Sequence, residues 1–588
     1  MIPFYDFEVF KYDWLVVIID PFTREETVVV NDYDQLMSYY EKHKMDVWCG
    51  YNNRHYDQYI LKGILSKFDP FDVSKFIIVD DNPGYKYSKL MGKFPMINFD
   101  IALLGKSLKQ LEGFQGHNIH ESSVNFMIDR KLTQEEIEET IEYCRNDVLE
   151  TINVFCECRS EFDALLGLVK MFNMPLSAMN YTKAQISAEI LECESKKFKD
   201  DWDLVFLPCI KLSEYWWIQL WFENPDNQSE DMELNTEVCG VPHTFGLGGL
   251  HGAVTQYHHI CHPDELILHI DVASYYPSLM IFWNLLTRAS KHPERFKEIY
   301  DLRLKLKHEG KKKEQAPLKI VLNGTFGICK DKKSKAYDPR TASSICINGQ
   351  LLLLDLLEKL EAVPSFELIQ SNTDGLIIKI NTEDFEAVDD ICYEWETRTK
   401  MTLEFDYIKE IFQKDVNNYL FVQLDGKIER KGSYVKELSS IDNDLPIINK
   451  ALIEYMLHGV FPEETIGNCN DLIQFQKIVK LSSKYERVHH NGCWFTNKCY
   501  RVFASKNYED GMIYKCKRVK KVIQDEMELG YPYVTNESYL KKDKFANTPD
   551  HCFIDNGDVT TKLVPEKLDK AWYVDLAYER LRQFGIEV

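Results

Sequence analysis

Three polar segments in the middle of the chain constrain its fold more than any other feature. In LHIDVASYYPSLM, an apolar run predicts a strand that ends at Asp271, and a turn follows directly. The segment KIVLNGTFG places Lys319, Asn323 and Gly327 four residues apart on one face of a predicted helix. In SNTDGLIIKI, Asp374 precedes a second predicted strand. Two carboxylates at strand ends, with a basic helix between them, favour an α/β domain that transfers a phosphoryl group with two metal ions.

A second set of carboxylates lies in the first third of the chain. Asp6 and Glu8 occupy alternate positions of a predicted strand, so both point to one face. Asp57 follows in YNNRHYD, and Tyr143 and Asp147 lie four residues apart in YCRND. Burying several acids together costs free energy unless a cation pairs them. Four carboxylates from three segments therefore predict a second two-metal site, where the Tyr143 phenol could orient an attacking water.

Local patterns predict several elements around these acids. YDFEVF and WLVVII predict a β-hairpin, and a T-x-x-E capping pattern predicts a helix over about 133–155. A helical pattern covers about 166–222, and its tryptophans are expected in the core: Trp216, Trp217 and Trp221. Residues 292–327 predict two helices that break at Glu309–Gly310.

Composition excludes several classes of protein. The chain is 45% hydrophobic and 28% charged, which excludes a disordered or fibrous chain. No apolar run reaches the ~18 residues of a membrane span, and the N-terminus lacks the basic region of a signal peptide. Sixteen scattered cysteines without a C-x-x-C pair favour a reduced, cytoplasmic compartment.

The charge distribution is more informative than the total. The net charge is −23, yet residues 303–335 carry 11 Lys and Arg against 3 Asp and Glu. A second basic run, KCKRVKK, covers Lys515–Lys521. Solvated surface faces would explain either run. Two basic segments on an acidic body also suit a protein that binds a polyanion in one channel.

These motifs, in this order, resemble those of family B DNA polymerases with 3′→5′ proofreading, of the compact type found in bacteriophages and prophages. DVASYYPS is similar to the family's DxxSLYPS motif, KIVLNGTFG to its Kx3NxxYG motif and NTDG to its DTDS motif. YDFE, NRHYD and YCRND are similar to its three exonuclease motifs. The C-terminal third matches only loosely, through KGSYVK and LDKAWYVDLAYERL.

The resemblance implies an α/β multidomain chain, with an RNase H-like exonuclease domain followed by a palm–fingers–thumb polymerase hand. The domains expected are the exonuclease domain at 1–160, a helical connecting region at 161–240, the palm at 241–285 and 317–435, the fingers at 286–316, and the thumb and C-terminal region at 436–588.

The resemblance also assigns roles to residues. The polymerase metals would be bound by Asp271, Asp374 and the carbonyl of Val272. The nucleotide would contact Ser274, Tyr275, Tyr276, Arg303, Lys319 and Asn323. Tyr276 would exclude a nucleotide with a 2′-hydroxyl. Arg303 is assigned only because of its position in the finger helix. The exonuclease metals would be bound by Asp6, Glu8, Asp57 and Asp147, with Tyr143 beside the attacking water. DNA would contact Asn53, Tyr56, Gly248, Gly249, Gly327 and Lys431.

The chain departs from the family pattern at several positions. Asn372 stands where the family usually has the first aspartate of DTD, and Phe326 and Gly246 each stand where a tyrosine is usual. Asn417 occupies a place often held by a primer-binding lysine, for which Lys431 is the candidate replacement. Spacings of 48 residues from Asp271 to Lys319, and 55 on to Asp374, leave little room beyond palm and fingers, so the long insertions of protein-primed relatives are not expected.

The resemblance implies two Mg²⁺ ions per active site, for which Mn²⁺ can substitute. Primer–template DNA and dNTPs would be the partners, with replisome proteins as further candidates and without a terminal-protein primer or a membrane. We expect a monomer in the cytoplasm of an infected or lysogenic bacterial cell. The alternatives are an exonuclease with an inactive palm, a DNA-binding replisome scaffold and a primase. The HHICH segment at His258–His262 is not expected to bind zinc, because adjacent strand residues point in opposite directions.

Overall fold

The computed structural model describes residues 2–523 and 533–588, without the side chains of 520–537. The protein is a mixed α/β chain, as predicted, and divides into two compact units. Unit 1 comprises residues 1–163, 175–180 and 438–577, and unit 2 comprises residues 164–174, 181–437 and 578–588. The expected exonuclease domain and the expected thumb region therefore contribute to the same unit. None of the described helices is long and apolar enough to cross a membrane.

The N-terminal part of unit 1 is built on a five-stranded sheet. Its strands are β1 (Phe4–Val9), β2 (Trp14–Asp20), β3 (Glu25–Val30), β4 (Val47–Gly50) and β5 (Ile97–Asp100), in the order β3-β2-β1-β4-β5. The first three strands are antiparallel, whereas β4 runs parallel to β1 and β5. The helices are α1 (Tyr33–His43), α2 (Asp57–Leu65), α3 (Pro70–Ile78), α4 (Leu108–Gln115) and α5 (Gln134–Met171), the last of which continues into unit 2.

The predicted hairpin and helix cap are confirmed. β1 and β2 pair from Phe4 opposite Ile19 to Val9 opposite Trp14. The Thr133 hydroxyl accepts the Glu136 N–H at 3.2 Å, and the Glu136 carboxylate accepts the Thr133 N–H at 2.8 Å. The predicted end of this helix at about residue 155 is wrong. The helix α5 is 38 residues long in total and ends at Met171, and no proline interrupts it.

Unit 2 is built on a ten-stranded sheet. Its strands are β6 (Glu233–Val238), β7 (Val241–Gly246), β8 (His251–Ala253), β9 (Tyr257–Ile260), β10 (Glu265–Val272), β11 (Glu367–Asn372), β12 (Gly375–Asn381), β13 (Leu403–Asp415), β14 (Asn418–Gln423) and β15 (Ile428–Lys431). Their order is β15-β14-β13-β10-β12-β11-β8-β7-β6, and β9 pairs with β13. The helices are α6 (Lys183–Ile190), α7 (Trp216–Glu223), α8 (Tyr275–Phe282), α9 (Glu294–His308), α10 (Lys312–Lys330), α11 (Pro339–Leu360) and α12 (Phe385–Thr399).

Helix α11 forms much of the core of unit 2. Every residue from 341 to 357 is buried, which is the pattern of a helix enclosed on all sides. The predicted break between α9 and α10 is confirmed, and Gly310 there has a left-handed φ of 71° that favours glycine. The expected boundary between fingers and palm falls inside α10, where Pro317 lies.

The prediction of a continuous helical region over 166–222 is wrong. Residues 191–215 form no helix, and α6 and α7 are short. The prediction that the α7 tryptophans lie in the core is also wrong for Trp216 and Trp217, which are 53% and 37% exposed. Ile218 and Phe222, four residues apart, occupy the buried face of the helix instead.

The C-terminal part of unit 1 contains two small sheets. Its helices are α13 (Pro446–His458), α14 (Pro462–Asn468) and α15 (Lys570–Gln583), the last of which continues into unit 2. Its strands are β16 (Lys477–Lys480), β17 (Arg487–His490), β18 (Cys493–Phe495), β19 (Cys499–Ala504), β20 (Tyr514–Ile523), β21 (Tyr533–Lys544) and β22 (Cys552–Ile554), in the orders β16-β19-β22 and β18-β17-β20-β21. The basic run Lys515–Lys521 lies on β20, and its last two side chains are outside the described ones.

Candidate active sites

The two acids of the central motifs meet at the ends of adjacent strands in unit 2. Asp271 lies directly opposite Gly375 in the β10–β12 pair, and Asp374 immediately precedes Gly375. The Val272 N–H donates to the Asp374 carbonyl at 2.7 Å. Ser274 and Thr373 both adopt a left-handed φ of 51°, which turns the chain sharply beside each acid. Both carboxylates line one cavity of about 380 Å³.

The electrostatics of this cavity suit a divalent cation. Burial, followed by the charges of Asp374 and Glu404, raises the pKa of Asp271 to about 7. Burial also raises the pKa of Asp374, although the nearby Lys431 ammonium opposes that shift. Because the two carboxylates supply oxygen ligands, the residues fit a hard ion such as Mg²⁺ or Mn²⁺.

The cationic side of the cavity comes from α9 and α10. Lys319, Asn323 and Gly327 form an exposed stripe on α10, whereas the opposite face is buried. Arg303 on α9 donates from Nη1 to the Ser274 hydroxyl at 3.4 Å. The Arg303 Nε is buried without a hydrogen-bond partner in the described chain, so it can still bind an anion. Arg303, Lys319 and Asn323 all line the cavity that holds the two acids.

The two tyrosines of α8 differ in their surroundings. The Tyr275 hydroxyl is buried and donates to the Gly349 carbonyl at 2.6 Å, so it is committed to the backbone. Tyr276 lines the cavity, and its ring centroid lies 4.7 Å from that of Phe326 on α10. The phenylalanine that replaces the usual tyrosine therefore packs against the predicted sugar-selecting residue.

Sequence reasoning missed a second group of charged residues around Asp271. His269 precedes it by two positions on β10, and Glu404 and Asp406 lie opposite Asp271 and His269 on β13. These side chains and Lys431 line a further cavity of about 500 Å³, which also contains Asp271 and Asp374. The alternation of acids in LEFDYI was the available signal. Lys431 therefore lies in the same cavity as the candidate metal ligands, and its predicted contact with DNA stays a prediction.

Two glycines near the site are explained by local packing. A Cβ at position 249 would overlap the Thr373 hydroxyl, whereas a Cβ at position 248 would meet open space. A Cβ at position 246 would lie 2.8 Å from the Met232 carbonyl, which accounts for the absence of the usual tyrosine. Gly249 therefore allows the Thr373 turn beside Asp374, while the predicted contact of both members of the pair with DNA stays a prediction.

The four acids of the first motifs converge in unit 1. Asp6 and Glu8 lie on β1, Asp57 begins α2 and Asp147 lies on α5. The Phe7 N–H donates to Asp57 Oδ1 at 3.1 Å, which holds that carboxylate against β1. Asp6 and Glu8 each place a carboxylate oxygen within 4.8 Å of the other and of the Cys144 sulfur.

This cluster also has the electrostatics of a cation site. Burial raises the pKa of Asp57 to about 7, and burial followed by the charge of Asp57 raises the pKa of Asp6. Burial, together with the charge of Asp147, raises the pKa of Glu8. Divalent ions would relieve this repulsion, and the carboxylate oxygens are the ligands that Mg²⁺ and Mn²⁺ prefer.

Lys109, which sequence reasoning missed, lies inside this cluster. It forms ion pairs with Asp147 and, at 2.9 Å, with Glu112. Its ammonium also lies 4.6 Å from the centroid of the Tyr143 ring. The ion pairs raise the pKa of Lys109 despite its burial, so it stays positively charged. The signal in the sequence was slight, because a Lys and a Glu three residues apart usually form a surface pair.

An apolar cavity of about 700 Å³ borders Glu8. Tyr56 lines it, and its hydroxyl lies 2.8 Å from the Ser74 hydroxyl. The remaining apolar lining, which was not predicted, is Phe7, Val9, Phe71, Ile78, Val79, Phe126, Met127 and Ile128. Asn53 is fully buried, and its amide donates to Asn98 Oδ1 at 2.8 Å, so its predicted contact with DNA stays a prediction.

Comparison with curated proteins finds distant relatives among archaeal DNA polymerases. The chain is 21% identical over 197 residues to DNA polymerase 1 of Sulfurisphaera ohwakuensis, 23% over 196 residues to that of Sulfolobus acidocaldarius, and 24% over 196 residues to that of Saccharolobus solfataricus. Each match covers 33% of this chain, and 22%, 21% and 21% of the three relatives. The chain thus spans about a fifth of the curated relatives it matches. It is weakly homologous to DNA polymerases over a third of its own length.

Comparison with solved structures gives a weaker result. The family B DNA polymerase from the hyperthermophilic archaeon Pyrobaculum calidifontis is similar with a TM-score of 0.40 and 13% identity, over 100% of this chain and 78% of that one. A likeness of this size supports no inference about function. No protein-family model matches the chain.

Proposed function

We propose that the chain is a DNA-templated DNA polymerase that extends a primer 3′-hydroxyl with dNTPs and edits its product with a 3′→5′ exonuclease. The meeting of Asp271 and Asp374 with Arg303 and Lys319 around one cavity carries the proposal. Paired carboxylates beside free cations are the arrangement that metal-assisted transfer of a nucleotide requires. The weak homology to DNA polymerases supports the same reading.

In the polymerase site, Asp271, Asp374 and the Val272 carbonyl would hold Mg²⁺ or Mn²⁺. Bound there, the ions lower the pKa of the attacking hydroxyl and offset charge on the leaving oxygen. Lys319 and Arg303 would bind the triphosphate oxygens, because both cations face the cavity. The Tyr276 ring, packed on Phe326, would lie under the sugar and exclude a 2′-hydroxyl.

In the exonuclease site, Asp6, Glu8, Asp57 and Asp147 would hold two ions that activate a water. Lys109 fixes the Asp147 carboxylate and lies against the Tyr143 ring, so it would orient the phenol beside that water. The apolar cavity next to Glu8 would accept an unpaired base, since its apolar lining suits stacking. A strand end that is unpaired would thus be favoured over a paired one.

We further propose primer–template DNA as the partner of the chain, extension without a terminal-protein primer, and a monomeric state. The side chains of Lys305, Lys307, Lys312, Lys313 and Lys333 are exposed on or next to α9 and α10. They would contact phosphates and make binding to DNA depend on salt. The bacteriophage origin stays a prediction, as the matched relatives are archaeal proteins.

The polymerase proposal is tested by extension of a labelled primer–template with Mg²⁺ and dNTPs. Extension by the wild type, its loss in Asp374→Asn and its retention in Asp390→Asn are expected, because Asp390 is an exposed acid on α12. A second candidate, a nuclease with an inactive palm, is motivated by Asn372, which replaces a carboxylate in the cavity beside Asp374. Shortening of the primer without any extension would favour that candidate.

The exonuclease proposal is tested on a single-stranded 3′-labelled substrate without dNTPs. Release of mononucleotides by the wild type, and its loss in Asp6→Ala, are expected. Asp163→Asn is the matched control, because Asp163 is an exposed acid on α5 that pairs with Arg159. Equal release by all three proteins would contradict the assignment of this site.

A further inference from the structure

A group of possible metal ligands lies at the opposite end of β10 from Asp271. One ligand atom from each of His259, His262 and Glu265 lies within 4.8 Å of the other two. The argument against zinc was that adjacent strand residues point in opposite directions, and it applies to the neighbours His258 and His259. The structure instead gathers residues spaced by three positions across a turn, in the pattern H-x-x-H-x-x-E.

The backbone of this turn is held at both ends. Ile260 on β9 pairs with Glu410 on β13, and the Cys261 N–H donates to the Lys409 carbonyl at 2.9 Å. On the other side, Glu265 begins β10 and lies opposite Asn381 on β12. The Glu265 N–H donates to the His262 carbonyl at 3.0 Å, which closes the turn. The three candidate ligands therefore project from a preorganised frame.

The side chains already converge through hydrogen bonds. Glu265 Oε2 accepts a hydrogen bond from His259 Nε2 at 2.8 Å and from the His262 backbone N–H at 3.1 Å. The ring centroids of His259 and His262 lie 5.5 Å apart, edge to face. His258 belongs to different surroundings, because it stacks on Phe412 with centroids 4.4 Å apart and donates to Glu410 at 2.9 Å.

We propose that His259, His262 and Glu265 bind a zinc-class transition metal ion and leave one position for water. Two imidazole nitrogens and one carboxylate oxygen match zinc, whereas Mg²⁺ prefers oxygen donors alone. Ligands of a tetrahedral zinc ion lie about 3.3 Å apart at bond lengths of ~2.0–2.1 Å. The ion would therefore replace the His259–Glu265 hydrogen bond after a small outward rotation of these side chains.

Such an ion would link the end of β9 to the start of β10, the strand that carries Asp271. Asp271 lies six positions after Glu265 along the extended strand, a distance of about 20 Å. The site is therefore separate from the catalytic carboxylates, and its expected effect is on the stability of unit 2. A ligand that binds only the folded state raises its unfolding temperature.

The test is a Zn²⁺ titration of the metal-free full chain against a chromophoric chelator, with excess Mg²⁺ to fill the carboxylate sites. Wild type is expected to bind a Zn²⁺ that His259→Gln and His262→Gln each bind at least about tenfold more weakly. His258→Gln is the matched control and is expected to bind like wild type. Because His262 is exposed, its substitution leaves the fold intact.

A second measurement uses the thermal unfolding temperature. Zn²⁺ is expected to raise it in the wild type and in His258→Gln, and to leave it unchanged in His262→Gln. Retention of the Zn²⁺ by either His259→Gln or His262→Gln overturns the proposal. The Cys261 thiol lies nearby and donates to the Glu265 carbonyl at 3.3 Å. Loss of the Zn²⁺ in Cys261→Ser alone also overturns the proposal, because this thiol would then be the ligand.

Discussion

The protonation of Asp57 gives a quantitative prediction for metal binding to the exonuclease site. Burial raises its pKa to about 7 in the metal-free protein. A group with that pKa is about 90% protonated at pH 6 and about 10% protonated at pH 8. A bound cation requires the ionised carboxylate, so binding displaces the proton. Asp57 should therefore release about 0.9 proton per binding event at pH 6 and about 0.1 at pH 8.

The same linkage fixes the sign of the pH dependence. Because the raised pKa favours the protonated acid, Asp57 alone should make the affinity for Mg²⁺ rise about tenfold from pH 6 to pH 8, which is about 1.4 kcal/mol. The raised pKa values of Asp6 and Glu8 add to this rise. The free energy of unfolding of the metal-free protein should instead fall as the pH rises. The folded state binds the proton more tightly than the unfolded chain, so this contribution is present at low pH and is lost as the pH rises through about 7.

Isothermal titration calorimetry in buffers of different ionisation enthalpy measures the protons released. We compare the wild type with Asp57→Asn, whose amide can still accept the Phe7 N–H but cannot titrate. At pH 6 the wild type should release at least about 0.9 proton more than Asp57→Asn, since removing this charge also lowers the pKa of Asp6. Asp163→Asn, which changes an exposed acid on α5, should match the wild type. Equal proton release by the wild type and Asp57→Asn at pH 6 would refute the reasoning.

Three substitutions test individual contacts. Lys109→Ala should lower exonuclease activity by about tenfold or more, because it leaves Asp147 without its ion pair, and should leave primer extension unchanged. Equal exonuclease rates would contradict a role for this lysine. Gly249→Ala should slow primer extension, because its Cβ overlaps Thr373 beside Asp374, whereas Gly248→Ala meets open space and should match the wild type. Tyr276→Val should weaken discrimination against ribonucleotides by on the order of 10²-fold. The measurement is the ratio of kcat/KM for a dNTP to that for the matching ribonucleotide. An unchanged ratio would contradict the predicted role of Tyr276.

The positions of the candidate catalytic acids could be predicted because their signals are local. A strand that ends one residue after Asp271, a helix with Lys319 on its exposed face, and a turn at Asp374 each follow from a few neighbouring residues. The capping box at Thr133 is equally local. In each case the pattern and the periodicity agreed with the tertiary environment.

The features that sequence missed depend on contacts between distant segments. Lys109 enters the exonuclease cluster because α4 brings it to Asp147, 38 positions away in the chain. Asp406 and Glu404 reach Asp271 through the register of β10 and β13. The exposure of Trp216 also depends on tertiary packing, because Ile218 and Phe222 occupy the buried face of α7. No local pattern specifies such pairings.

The conversion of dNTP to dNMP on a primer–template with Mg²⁺ tests the central claim most directly, because it requires incorporation followed by excision. The account predicts steady production of dNMP by the wild type. Asp374→Asn should neither extend the primer nor produce dNMP from dNTP, whereas Asp6→Ala should extend the primer without producing dNMP. Wild-type protein that shortens the primer but produces no dNMP from added dNTP would contradict the account, since the Asp271–Asp374 cavity would then not catalyse polymerisation.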